Sequence, residues 1–154
     1  MRTLRWLPWF LGALLPLLAA AMPVRAEEEI RVTVIAIIAT DKNNEVNAKL
    51  KDVAAEVQKV EPGLTGFKIA WQSCKKMKAN DKHNFDLVEK QVAEVTVKHG
   101  SDNKNKIGIS VKPPQGGEIT YKTSCGKFFP IITRYQTKDK DRLIIAISVE
   151  PCKD

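Results

Sequence analysis

No two cysteines of this chain are close in sequence: 50 residues lie between Cys74 and Cys125 and 26 between Cys125 and Cys152. That spacing excludes the Cys-x-x-Cys pairs that seed zinc sites and thioredoxin-like redox centres. Histidine is scarcer still, with only His83 and His99, both in stretches rich in lysine and asparagine that read as polar turns. Neither has a ligand partner at helical or strand spacing. A phosphate-binding loop needs a glycine five residues before Gly126-Lys127 and a Ser or Thr after it, where Tyr121 and Phe128 stand. The Gly-x-Ser-x-Gly elbow of hydrolases is missing, and so is any Asn-x-Ser/Thr sequon. No catalytic, cofactor or metal site is predicted.

The first 26 residues have a different character. Arg2 and Arg5 precede an apolar run from Trp6 to Ala21, and Val24-Arg25-Ala26 closes the segment before three glutamates. A positive start, an apolar middle and a small-residue cleavage site are the order of a secretory signal. A membrane-spanning helix needs about 20 apolar residues, and this run is shorter and holds Pro8 and Pro16. No cysteine follows it to carry a lipid. The sequence therefore predicts an exported chain, periplasmic or secreted, with a signal peptide at 1–26 and no membrane anchor after cleavage.

Removing the leader leaves 128 residues, the size of one domain, here 27–154. With 44% hydrophobic and 28% charged residues, the composition supports a packed core rather than disorder. The formal charge falls from +7 to +4, because Arg2, Arg5 and Arg25 leave with the leader. Only Arg31, Arg134 and Arg142 remain as arginines, which argues against a nucleic-acid partner. Lys75, Lys76, Lys78 and Lys82 form a local basic patch that could meet an anionic envelope polymer or protein, or could guard an edge strand.

Along the domain, residues 30–39 are β-branched on both alternating faces from Val34 onward, the mark of a central strand covered on both sides. Val46, Leu50, Val53, Val57 and Val60 then trace one face of a helix that Asn43, Asn44 or Asn47 can cap. Glu61-Pro62-Gly63 ends it, with glycine expected in the left-handed cap. Alternating segments at 67–71, 85–88, 92–97, 107–111 and 119–121 follow, then a hairpin of 128–135 with 142–149. These elements predict an α+β domain: one main helix packed on a mostly antiparallel meander sheet of about six or seven strands.

The segments Val32–Thr40 (Val-x-x-Ile-Ala-x-x-Ala-Thr), Leu50–Val57 (Leu-x-x-x-Ala-x-x-Val) and Gly66–Ile69 (Gly-Phe-x-Ile), with Arg142–Ile147 at the far end, resemble small exported bacterial α+β proteins. The resemblance covers about a third of the domain. It implies export and fold; that family has no assigned activity, so no site residue follows from it.

If Tyr135 faces Arg142 in the C-terminal hairpin, extending the ladder sets Cys125 across from Cys152, near enough for a disulfide, with Cys74 left over. The function predicted is a non-catalytic binding or assembly module of the envelope or secreted space. Its partner would be a protein, an anionic polymer or a small ligand. Two alternatives stand beside it: a thiol-dependent or hydrolytic enzyme using Cys125, and a structural component pairing through a sheet edge. Trp71, Tyr121, Phe128, Phe129 and Tyr135 are candidates for lining a shallow groove.

Overall fold

A computed structural model describes residues 27–151. The leader assigned to 1–26 and Cys152 lie outside the described residues. Eight strands occur in chain order: β1 (Ile30–Thr40), β2 (Gly66–Met77), β3 (Lys82–Asp86), β4 (Val92–His99), β5 (Lys106–Lys112), β6 (Ile119–Ser124), β7 (Phe129–Gln136) and β8 (Arg142–Pro151). One helix, α1 (Lys51–Val60), follows a short 3-10 turn between β1 and β2. Among the described residues no helix is long and apolar enough to cross a membrane.

The single sheet expected from the sequence is replaced by two. Sheet A runs β2-β1-β8-β7 and sheet B runs β3-β4-β5-β6, with every pairing within a sheet antiparallel. The fold is thus mostly β, a meander of neighbours whose last strand returns beside its first, flattened into a sandwich with a helix on one outer face. Strand character gives the reason. Residues Val34–Ala39 of β1 and Leu143–Val149 of β8 are buried on both alternating faces. β4 instead alternates, burying Ala93, Val95 and Val97 and leaving Glu94, Thr96 and Lys98 accessible, while β5, framed by exposed Lys106 and Lys112, buries Ile107, Ile109 and Val111 on its core face and only the small Gly108 and Ser110 on the other. One helix cannot cover both sets, so the apolar face of β3–β6 closes against sheet A.

The layer between the sheets holds Val32, Val34, Ala36, Leu143, Ile145 and Ile147 from sheet A against Phe85, Val95, Val97, Ile107 and Ile109 from sheet B. The opposite face of sheet A, with Ile35, Ile37, Ala39, Ile144 and Ala146, packs on Leu50, Val53, Ala54 and Val57 of the helical segment. Asn47 starts that segment by accepting the Lys49 N–H at 3.0 Å. The predicted stripe holds in its middle and departs at its ends. Val46 pairs in a lone parallel bridge with Phe67, and Val60 is 71% exposed. Glu61 closes the last turn by donating its N–H to Val57 O, with no left-handed glycine at that end.

The β7–β8 hairpin also differs from its predicted register. Gln136, not Tyr135, faces Arg142, and beyond a bulge at 133–135 the ladder resumes with Ile132 opposite Ile144 and Phe129 opposite Ile147. Thr133 stabilises the bulge: its hydroxyl donates to Leu143 O at 2.7 Å and accepts the Tyr135 N–H at 3.2 Å. Continued from Phe129, the ladder step sets Cys125 opposite Pro151, one residue short of Cys152.

Candidate binding groove

Val60, at the end of α1, is exposed and lines a groove. Val53, Val57 and Val60 form one wall, and Phe128, Phe129, Pro130 and Ile132 form the other. Its volume is about 790 Å³, within the range of small-ligand and peptide pockets. Phe128 is 37% and Phe129 38% exposed, large apolar surface left in water beside an already apolar wall. Lys49, Lys122 and Lys127 line the groove with Asp52 and Glu56; Lys59 engages Glu56 at 2.6 Å and Asp102 meets Lys122 at 3.8 Å, which leaves Lys49 and Lys127 against Asp52. The rim therefore favours acidic groups.

The groove floor crosses from one sheet to the other. Tyr121 of β6 and Phe129 of β7 stack with ring centroids 4.1 Å apart and planes 22° apart, bridging the seam where β6 and β7 share no ladder. The Tyr121 hydroxyl is buried and has no hydrogen-bond partner among the described residues, and burial pushes its pKa well above the usual tyrosine value. Gly126 turns the corner at φ 77°, in the left-handed region that glycine adopts without strain. Of the aromatic candidates, Phe128 and Phe129 line the groove; Trp71 and Tyr135 pack against the inter-sheet core.

The other candidate residues are placed apart from it. Lys75 and Lys76 are neighbours on β2 and so point to opposite faces, Lys78 is in the loop that follows, and Lys82 opens β3. Lys76 meets Glu29 at 3.8 Å, Lys78 meets Glu27 at 3.8 Å and Lys82 meets Glu94 at 3.1 Å, which divides the predicted patch into exposed ion pairs. The histidines lie on strands, not in turns. His83 is in β3, edge-on to Phe85 at 4.9 Å, and His99 ends β4 with its ring over Gly108, where a Cβ would collide with it. Lysine and asparagine surround them in sequence because β3 and β4 each keep one wet face.

Cys125 is half-buried at the corner, and its Sγ–H points to Asn105 O at 3.4 Å. Burial, reinforced by the charges of Glu28 and Glu150, pushes its thiol pKa up, while Ser101 lowers it less. A nucleophilic cysteine needs the reverse, an electropositive setting that favours thiolate. Cys74 is exposed on β2. The two edge strands of sheet A carry features that blunt edge pairing: Lys68, Lys75, Lys76 and a bulge on β2, Pro130 and a bulge on β7; β3 and β6 are the edges of sheet B.

Fold and groove together define an antiparallel β-sandwich with an amphipathic helix on one face and, beside that helix, an open groove whose lining is part apolar and part polar. No protein family, curated protein or solved structure matches the chain.

Proposed function

We propose that the chain is an exported, non-catalytic binding module. Its groove between α1 and the β6–β7 corner takes an extended acidic peptide segment bearing apolar side chains, contributed by a protein of the envelope or secreted space. The observation that carries this reading is the grouping of Val60, Phe128 and Phe129, all exposed, around one groove with lysines on its rim. Exposed aromatics against an apolar wall supply anchor surface, and the lysines supply the sign of charge their partner must carry. Export rests on the order of residues in 1–26. The raised thiol pKa of Cys125 argues against the thiol-enzyme alternative, and the blunted edges of β2 and β7 argue against strand pairing through sheet A.

Two-dimensional NMR of the isotopically labelled protein tests the reading with two probes, a short peptide alternating Glu with Leu and its counterpart alternating Lys with Leu. The acidic peptide is expected to shift resonances of residues 52–60 and 122–132, and the basic one to leave them unchanged. Equal response to both peptides, or shifts confined to the β2–β3 lysines, would overturn it.

A further inference from the structure

We propose that the acidic peptide is held as an added strand on the free edge of β6, its backbone hydrogen-bonded to that strand and its side chains alternating between the groove and water. The inference rests on the groove reading above and adds the mode of binding.

β6 is the last strand of sheet B. On one side it pairs with β5, from Ile119 opposite Val111 to Ser124 opposite Lys106, and on the other side no strand lies beside it among the described residues. An antiparallel ladder uses the N–H and C=O of every second residue, so the alternate residues of β6 turn theirs to the open side. The other edges are guarded. β2 and β7 carry bulges, β7 also holds Pro130, and β3 is five residues long with Lys82 and Asp86 at its ends. β6 has no proline, keeps its register with β5 without a shift, and has Lys122 as its one charged residue.

Two hollows adjoin that edge. Lys122, Thr123 and Ser124 line the groove of about 790 Å³, and Glu118 and Ile119 line a second hollow of about 640 Å³. Ile132 of β7 lines both, so they are neighbours across the seam between β6 and β7. Five steps of about 3.3 Å from Ile119 to Ser124 give roughly 17 Å of strand for an extended segment to follow. β7 offers no matching ladder, since Pro130 lacks an N–H and the bulge at 133–135 interrupts alternation.

The pleat of β6 sets the pattern its partner must carry. Thr123 is buried and Tyr121 packs against the inter-sheet core, whereas Thr120 and Lys122 are exposed. A strand added beside β6 continues this alternation, with every second side chain inward toward Phe129 and Ile132 and the others in water beside Thr120 and Lys122. Large apolar residues suit the first set and acidic residues the second. The recognised feature is therefore the alternation itself, not acidic charge or apolar content alone.

Four labelled peptides, titrated with the purified protein and followed by fluorescence anisotropy, test the inference. One alternates Glu with Leu, two are copies of it N-methylated at the backbone nitrogen of every Leu or of every Glu, and the fourth has the same composition in one Glu block and one Leu block. Methylation removes a backbone donor and keeps every side chain. An added strand donates to β6 through only one of the two sets, so one methylated peptide is expected to bind about tenfold or more weakly than the parent and the other within about twofold. The block peptide is expected to weaken by about tenfold or more as well. In amide hydrogen exchange, alternate residues of Ile119–Ser124 are expected to slow when the parent peptide is bound. Equal affinity of the two methylated peptides, or undiminished binding of the block peptide, overturns strand addition and leaves the groove reading in place. Absence of binding by the parent peptide overturns both.

Discussion

At the scale of single residues, Tyr121 is the least settled group in the molecule. Its ring is well used, stacked on Phe129 and packed against the inter-sheet core, but its hydroxyl is buried with no partner among the described residues. Leaving a buried hydroxyl unpaired costs about 1–3 kcal/mol, and removing it while keeping the ring relieves that cost. Tyr121→Phe is therefore expected to raise unfolding stability by about 1 kcal/mol in urea titrations. A loss of similar size would show that the hydroxyl is satisfied. Nothing in the sequence around Tyr121 announces this, because the residue reads as an ordinary alternating strand position. Phe128 and Phe129 were groove candidates by residue type, but nothing in the sequence set them apart from Trp71 and Tyr135, which pack against the core. Apolar side chains next to a proline signal a strand start, and only the position of α1 across the sheet leaves them in water.

At the scale of elements, buried and exposed positions of the helical segment that runs from the 3-10 turn through α1 make opposite predictions. Leu50 is fully buried against sheet A, so Leu50→Ala is expected to cost about 2–5 kcal/mol. Val60, on the same predicted stripe, is expected to tolerate serine within about 0.5 kcal/mol. Chemical denaturation of the two variants checks the contrast, and equal losses would mean that Val60 packs. Two turns depend on carboxylates. Glu89 is held by the Tyr135 hydroxyl and the Lys138 N–H, and Asp102 accepts the N–H groups of Lys106 and Lys104, each at 2.9 Å. These bonds lower the pKa of both groups below their ordinary values of 4.5 and 3.8. The folded form then binds protons less readily than the unfolded chain. Their stabilisation is present above the ordinary values and is lost as pH falls through the lowered ones. The urea midpoint is expected to drop between about pH 5 and about pH 2, and to drop less in the double variant Glu89→Gln with Asp102→Asn. An identical acid limb in both proteins would contradict the assignment.

The elements were legible where one rule of periodicity decides them. β1 reads as covered on both sides because its branched residues ignore alternation, and α1 reads as amphipathic from Leu50 to Val57. The number of sheets was not legible. Alternation tells which face of β4 or β5 is dry, not which surface dries it, and β2 to β3 and β6 to β7 look in sequence like hairpins of one sheet. The bulge at Thr133 was hidden as well, since threonine there fits a regular strand and only its hydroxyl bond to Leu143 O reveals the extra residues.

At the scale of the whole molecule, the sandwich fills its own interior and turns polar alternation outward on sheet B, so the apolar surface left for a partner gathers where helix, corner and edge strand meet. The groove lies where two sheets and a helix come together, which is why no short motif marks it: Phe128 and Phe129 were among the aromatic candidates, but the lysines singled out, Lys75, Lys76, Lys78 and Lys82, lie elsewhere. Fluorescence anisotropy of a labelled peptide alternating Glu with Leu, titrated with the native protein and with Phe128→Ser, tests this most directly. The account predicts saturable binding to the native protein, weakened about tenfold or more by Phe128→Ser while the melting temperature is kept. Binding of equal strength to both proteins, or none to either, would contradict it.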